Sequence, residues 1–99
     1  MKFSNKVLNL CKQIPKGKVT TYKEIAIALN SKAYQGVGNA LRNNPYPIKI
    51  PCHRVVNSDG KIGGYSGKKD NPKKKTLLKK EGIIIVEDKI DLKEFLYNF

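Results

Sequence analysis

Apolar residues recur at helical spacing along the first half of the chain. Phe3, Val7, Leu10, Cys11 and Ile14 lie three or four positions apart, which predicts an amphipathic helix over residues 4–13 with Cys11 on its buried stripe. Pro15 and Gly17 end that helix, and residues 18–20 form a short extended link. Thr21-Tyr22-Lys23-Glu24 fits a capping box, so Thr21 opens a second helix. Ile25, Ala26 and Leu29 form its buried face, and Asn30 stops it. Ser31 is placed to cap a third helix from Ala33 to Asn43, with Val37, Ala40 and Leu41 inward. Two short helices joined by a tight polar turn have the shape of a helix-turn-helix. Gly36 and Gly38 lie inside the third helix, where each costs about 1 kcal/mol against Ala. Small residues there admit another backbone, either a neighbouring helix or a DNA strand.

After Asn44 the periodicity fades. Asn44-Pro45-Tyr46-Pro47 cannot continue a helix. Residues 48–51 read as extended and run directly into Cys52-His53-Arg54-Val55-Val56. Asn57-Ser58-Asp59-Gly60 is a turn, and residues 62–67 are a glycine-rich loop. Pro72 starts a helix through Lys80 with Leu77 and Leu78 inward, and Gly82 ends it. Residues 83–87 are β-prone, and Leu92, Phe95 and Leu96 suggest a last short helix. The expected fold is mainly α: one domain over residues 1–99, a winged-helix-like helix-turn-helix with a small β-ribbon. A chain of 99 residues buries a modest core, so any chemistry must sit on the binding scaffold itself.

Charge narrows the choice of partner. The formal net charge is +12, and it is uneven. Residues 1–80 carry eighteen Lys and Arg against three Asp and Glu, a balance of +15; residues 81–99 carry two against five, a balance of −3. A basic body of this kind attracts a polyanion, with nucleic acid the first candidate and a merely solubilising surface the second. The segment Lys68 to Lys75 either contacts phosphates or is a solvated loop. No purely apolar run, Ile83 to Val86 included, is long enough to span a bilayer, and the N-terminus has no signal-peptide core. No membrane association and a cytoplasmic location are therefore expected, with Cys11 and Cys52 as free thiols. Two Cys and one His at irregular spacing do not make a zinc site, so no metal is expected.

Pro51-Cys52-His53-Arg54 is the segment that carries chemistry. A thiol is a weak nucleophile until it ionises, and a nearby imidazole and guanidinium favour the thiolate. His53 is the chain's single histidine and adjoins the thiol. Adjacent residues seldom bond side chain to side chain, so a relay through water, with a carboxylate orienting the imidazole, is the expected geometry. Taken alone, a Cys-His pair is more often structural.

The combination is more specific. TTYKEIA, GVGNALRNNP, IPCHRVV, GGYSG and LLKKEG, in this order and spacing, resemble the O6-alkylguanine-DNA alkyltransferases over roughly residues 3–86. The resemblance is to the single-domain form, without the N-terminal domain that most members carry. It implies a protein that takes an alkyl group from O6 of guanine in double-stranded DNA onto its own cysteine, once, as a monomer and with no cofactor. By the same resemblance Cys52 is the nucleophile, His53 takes its proton through a bound water, and Glu81 orients His53. Asn44 holds the turn leading into the cysteine segment. Tyr22 presses on a phosphate and reaches guanine N3. The base must leave the stack, because O6 is inaccessible to a thiol inside the duplex. Val55 lines the guanine pocket by its backbone, opposite Tyr65, Ser66 and Gly67, and Leu41 packs on the extruded base. The third helix lies in the minor groove, where Gly36, Gly38 and Ala40 keep it slim, with Tyr34, Asn39, Arg42 and Arg54 among the residues at the DNA.

One position departs from the family pattern. Gln35 stands where members usually have the arginine that fills the gap left by the extruded base. Gln can plug the stack but lacks the charge, so weaker extrusion is expected, partly offset by the basic body; Tyr34 next door can stack instead. Two other readings compete. Alkyltransferase-like proteins are short, bind alkylated bases without transfer and usually replace the cysteine by tryptophan, whereas Cys52 is present here with His53 and Glu81. A plain winged-helix regulator would find base-edge readers in Tyr34, Gln35, Asn39 and Arg42, but has no use for Pro-Cys-His-Arg.

Overall fold

A computed structural model describes residues 2–46, 49–63 and 72–99. Helix α1 (Phe3–Lys12) buries Val7 and Cys11, and Ile14 beyond its end is buried too. Strand β1 (Thr20–Thr21) leads into α2 (Tyr22–Ala28), whose first turn is capped as the sequence predicts: Thr21 Oγ1 accepts from Glu24 N at 3.0 Å. Asn30 ends α2 by adopting φ +52°. That conformation lets Ser31 N reach Ala26 O at 2.9 Å and Asn30 N reach Ile27 O at 2.9 Å, the paired bonds of a Schellman cap.

Helix α3 (Tyr34–Arg42) buries Val37, Ala40 and Leu41. Its cap differs from expectation. Ala33 occupies the N-cap with no side-chain bond, and Ser31 Oγ instead accepts from Ala33 N at 3.0 Å within the turn. A 3-10 turn (Cys52–Arg54) follows, then β2 (Val55–Val56), which pairs in parallel with β1, Thr20 opposite Val55 and Thr21 opposite Val56. Cys52 to Arg54 is thus a turn rather than a continuation of the extended segment before it.

Helix α4 (Pro72–Lys80) starts at its proline. It ends in a second Schellman cap, with Gly82 at φ +88°, Gly82 N bonded to Lys79 O at 3.1 Å and Ile83 N to Leu78 O at 3.1 Å. Strands β3 (Ile85–Val86) and β4 (Lys89–Ile90) form an antiparallel ribbon, and α5 (Leu92–Phe95) is a single turn capped by Asp91. The ribbon docks where Gly60 N–Cα–C passes Ile90: a Cβ on Gly60 would lie 2.6 Å from Ile90 O, and its φ is +89°, so only glycine fits. The C-terminal segment straps onto the strand side, Val19 N bonding to Phe95 O at 2.9 Å and Tyr97 N to Val19 O at 2.7 Å.

Two cores result. One gathers α1, α2, α3 and the 3-10 turn, including Val7, Cys11, Ile25, Val37, Leu41, Cys52 and Val55. The other gathers Val19, Val56, Ile62, Leu78, Ile83, Ile90 and Phe95. The run from Cys52 to Val56 crosses from the first core to the second, so both cores fix its position. The architecture is mainly helical with small sheets, and among the described residues no helix is long and apolar enough to cross a membrane.

Candidate active site

The segment before Cys52 is tied down by one side chain. Asn44 Nδ2 donates to Ile50 O at 2.8 Å and Asn44 Oδ1 accepts from Tyr46 N at 2.9 Å, while Cys52 N bonds to Ile50 O at 2.7 Å. Cys52 is buried at the edge of the first core, 8% exposed, a free thiol like Cys11. Cys11 is fully buried, and burial, helped by the charge at Cys52, pushes its thiol up to about 12. Cys11 therefore stays protonated and inert, as its place on the apolar stripe predicts.

The cap that ends α4 delivers Glu81. As the residue just before Gly82, it faces the 3-10 turn across 28 residues of sequence and receives three hydrogen bonds. His53 Nε2 lies 3.0 Å from Glu81 Oε2, Arg54 Nε donates to Oε1 at 2.8 Å and Arg54 Nη2 donates to Oε2 at 2.6 Å. Arg54 Nη1 also donates to Ile14 O at 2.8 Å, so one guanidinium joins the end of α1, the 3-10 turn and the end of α4. Burial raises the Glu81 carboxyl, but the bonds from Arg54 and His53 and their charges outweigh it and hold the pKa below the usual value.

This ionised carboxylate fixes the imidazole. A carboxylate only accepts, so His53 Nε2 carries the proton, and Nδ1 is the ring's basic nitrogen. Burial lowers the His53 pKa below 6.5, against the opposing pull of Glu81. At neutral pH the ring is uncharged and able to accept a proton. Tyr22, partly buried beside the same core, has its hydroxyl pKa raised by burial and by the charge at Cys52, so it remains a proton donor.

Other expected site residues spread across the structure. Tyr34, Gln35, Asn39 and Arg42 lie exposed on α3. Leu41 and Ala40 are buried in the first core. Gly36 and Gly38 have different surroundings. A Cβ on Gly36 would sit 3.2 Å from Phe3 Cε2, so this glycine admits the neighbouring helix α1; Gly38 has nothing within 4 Å. Arg54, expected among the DNA-facing residues, spends all three of its nitrogens on Glu81 and Ile14. Val55 is buried, and its carbonyl accepts from Lys74. Tyr65, Ser66 and Gly67 lie outside the described residues, as do Lys68 and Lys69. Among the described residues no group of three or more His, Cys, Asp or Glu is placed to hold a metal ion.

Lys74 is the residue that sequence reasoning missed. It is fully buried, with Nζ donating to Val55 O at 2.7 Å, and burial lowers its pKa to about 8 although the charge at Cys52 pulls it up. Inside a run of lysines it reads as solvated. The signal was its spacing: Lys74, Leu77 and Leu78 stand at i, i+3 and i+4, on one face of the helix. Its neighbour Lys75 pairs with Asp88 on the ribbon, so the described part of this basic segment is only partly open to solvent.

Residues 2–83 match the family described as "6-O-methylguanine DNA methyltransferase, DNA binding domain". The methylated-DNA–protein-cysteine methyltransferase of Rattus norvegicus is 48% identical over 83 residues, covering 82% of this chain and 39% of the relative. That of Methanocaldococcus jannaschii is 45% identical over 89 residues, covering 90% of this chain and 51% of the relative. The chain thus spans about two fifths to one half of the length of these curated relatives. Among solved structures, Schizosaccharomyces pombe Atl1 in complex with damaged DNA containing O6-carboxymethylguanine superimposes with a TM-score of 0.87 at 30% identity, covering 100% of both chains. Mycobacterium tuberculosis OGT in complex with DNA superimposes at 0.75 with 36% identity, over 82% of this chain and 50% of that one.

Proposed function

Because the chain belongs to the 6-O-methylguanine DNA methyltransferase family, we propose that it repairs DNA by moving an alkyl group from O6 of guanine to Cys52, once per molecule. The observation that carries this reading is the His53–Glu81 contact beside Cys52, which leaves a neutral imidazole with its basic nitrogen at Nδ1. The Cys52 proton passes through a water to Nδ1, and the imidazolium formed is stabilised by Glu81. The thiolate attacks the alkyl carbon; the new S–C bond forms as the C–O6 bond breaks, and the electron pair leaves with guanine. Tyr22, still protonated at neutral pH, gives a proton at N3 so that the base departs neutral. Asn44 keeps the segment before Cys52 in the turn that presents the sulfur. No cofactor takes part. Nothing in this scheme regenerates the thiol from its thioether, so the protein acts stoichiometrically, and the scheme draws its residues from one chain, as a monomer would supply them.

On this reading α2 and α3 act as a helix-turn-helix of winged-helix type, with β3 and β4 as the ribbon. Helix α3 enters the minor groove, its open Gly38 against the sugar–phosphate backbone, and Gln35 or the exposed Tyr34 fills the gap left by the extruded guanine. The excess of cations over residues 1–80 supplies the sequence-independent part of the affinity.

A second reading is damage recognition without transfer. It is favoured by the full-length superposition on Atl1 at TM-score 0.87, and opposed by Cys52 standing with His53 and Glu81. Loss of methyl from a duplex containing O6-methylguanine separates the two. Transfer gives a plateau of one methyl lost per protein molecule. Selective binding to the lesion with no methyl lost supports recognition alone, and methyl loss beyond one equivalent contradicts the single-turnover scheme.

A further inference from the structure

Among the described residues Tyr46 is the most open aromatic, 60% exposed. A single exposed tyrosine needs no explanation by itself. This one is fastened at both backbone atoms. Its N–H donates to Asn44 Oδ1 at 2.9 Å, and its carbonyl accepts from Ile50 N at 2.9 Å. Pro45 precedes it and has a fixed φ. The direction in which the side chain leaves the loop is therefore set. The same bonds tie Tyr46 to the cysteine. The carbonyl of Ile50 accepts from Cys52 N at 2.7 Å and from Asn44 Nδ2 at 2.8 Å. Two hydrogen bonds and the width of one residue thus join Tyr46 O to Cys52 N, which puts them within about 10 Å of each other. The neighbours are cationic and polar: Arg42 and Asn43 at the end of α3 and Lys49 on the loop are exposed. Residues 25–58 hold Lys32, Arg42, Lys49 and Arg54 and no Asp or Glu. A protein partner would ask for a continuous apolar patch, which these neighbours do not offer. An aromatic ring on a fixed backbone between cations suits a nucleobase instead, with the ring on the base face and the cations on phosphates.

We propose that Tyr46 is a further substrate-binding residue: its ring is a stacking platform for an unpaired nucleobase at the mouth of the Cys52 site, with Arg42 and Lys49 on the adjoining phosphates. The proposal rests on the reading of Cys52 as the acceptor of an alkyl group from an extruded base. A base that leaves the duplex loses its stacking on both faces, at a cost of a few kcal/mol. A ring waiting outside the helix restores part of that stacking. The role bears on the position where this chain departs from the family pattern. Gln35 brings α3 no charge to hold the gap in the duplex open. Tyr46 acts on the other side of the same equilibrium, by lowering the free energy of the base once it is out. Because Asn44 and Ile50 fasten both Tyr46 and the segment before Cys52, the platform and the sulfur keep one spacing.

The chain has no tryptophan, so Tyr46→Trp carries a single indole whose fluorescence reports stacking at this position. The probe is a short oligothymidylate, which is unpaired along its whole length. Phe99→Trp, in the acidic C-terminal segment, is the control. The expected result is quenching of Tyr46→Trp on adding the oligonucleotide and no quenching of Phe99→Trp. In anisotropy titrations at one salt concentration, Tyr46→Ala should bind the same oligonucleotide at least about fivefold more weakly than wild type, the lower end of what one stacked base contributes. Tyr46→Phe should bind like wild type, because the ring and not the hydroxyl is used. The side chain is exposed, so all three substitutions at Tyr46 should leave the urea midpoint unchanged. Equal affinity of Tyr46→Ala and wild type overturns the proposal. So does Tyr46→Trp emission that ignores the oligonucleotide. If Tyr46→Ala binds like wild type while methyl still moves from DNA to Cys52, this proposal fails and the repair reading stands. If no methyl is transferred while Tyr46→Trp is still quenched and Tyr46→Ala still binds more weakly, the repair reading fails and the base contact stands.

Discussion

Replacing Glu81 by Gln changes one oxygen to a nitrogen and keeps the shape, so its effect isolates charge and hydrogen-bond direction. In the native site the carboxylate accepts from His53 Nε2 and twice from Arg54. A Gln carboxamide has one accepting oxygen and one donating nitrogen, so at least one donor of His53 or Arg54 meets another donor. Each hydrogen bond to a charged group contributes about 1.5–3 kcal/mol. Breaking a buried pair costs about 3–5 kcal/mol, but Arg54 and Glu81 side chains are 15% and 12% exposed, and water softens the loss. The expected destabilisation is about 2–3 kcal/mol, read as a shift of the urea midpoint with an unchanged slope. The effect on reaction is separate. With its nitrogen toward Nε2 the carboxamide moves the ring proton to Nδ1, and with its oxygen there it still accepts from Nε2 and Arg54 Nη2 but brings no charge to stabilise an imidazolium, so either way His53 becomes a poorer base. General-base catalysis contributes about 10²–10⁴-fold, so the single-turnover rate of methyl transfer should fall by about 10²-fold or more under conditions where the variant is folded. A folded Glu81→Gln protein with a wild-type rate would refute the assignment of His53 as the base. A midpoint shift below about 0.5 kcal/mol would refute the view that Arg54 and Glu81 clamp three elements together.

Stability should fall on acidification, because His53 has a folded pKa below 6.5 and resists protonation, and because the stabilisation held by Glu81 is present above 4.5 and lost as pH drops through its lowered folded pKa. On the alkaline side Lys74 binds its proton less well folded than unfolded, about 8 against 10.5, so stability should rise by up to about 1 kcal/mol between pH 8 and 9 before the Cys11 thiol, about 12 against 9.0, reverses the trend. Urea melts from pH 3 to 10 check both limbs, and a Lys74→Met variant that keeps the rise between pH 8 and 9 would contradict the assignment. Gly38→Ala should stabilise the fold by about 0.5–1 kcal/mol, since nothing lies within 4 Å of the new methyl, yet weaken binding to duplex DNA in an anisotropy titration; equal affinity would remove α3 from the groove. Gln35→Arg should tighten binding to duplex containing O6-methylguanine, and unchanged or weaker binding would sink the view that the missing charge limits base extrusion.

Local chemistry made much of the fold legible. The stripe from Phe3 to Ile14, the cap at Thr21, the left-handed stop at Asn30, the start at Pro72 and the end at Gly82 each follow from interactions within a few residues, and the structure places its helices between these marks. The α3 cap was misjudged because Ser31 and Ala33 compete for the same turn, and the serine bonds inside it. The site divides the same way. Cys52 and His53 are neighbours in sequence, but Glu81 comes to them from 28 positions away, and only the motif resemblance paired them in advance. The resemblance alone puts Arg54 among the residues at the DNA; in the structure its fork is held by a carboxylate and by the carbonyl of Ile14 just beyond α1, partners 27 and 40 positions away in sequence. Lys74 was hidden by composition, since its neighbours Lys73 and Lys75 share its type and its helical phase with Leu77 and Leu78 alone sets it apart.

The central claim is that Cys52 is the final acceptor, and intact mass followed by peptide mapping tests it most directly. Wild type and Cys52→Ala would each be incubated with a duplex carrying one O6-methylguanine. The account predicts a gain of one methyl on wild type, located at Cys52, and none on Cys52→Ala even though that variant still binds the duplex. No gain on wild type, or a methyl found at Cys11 or elsewhere, would contradict it.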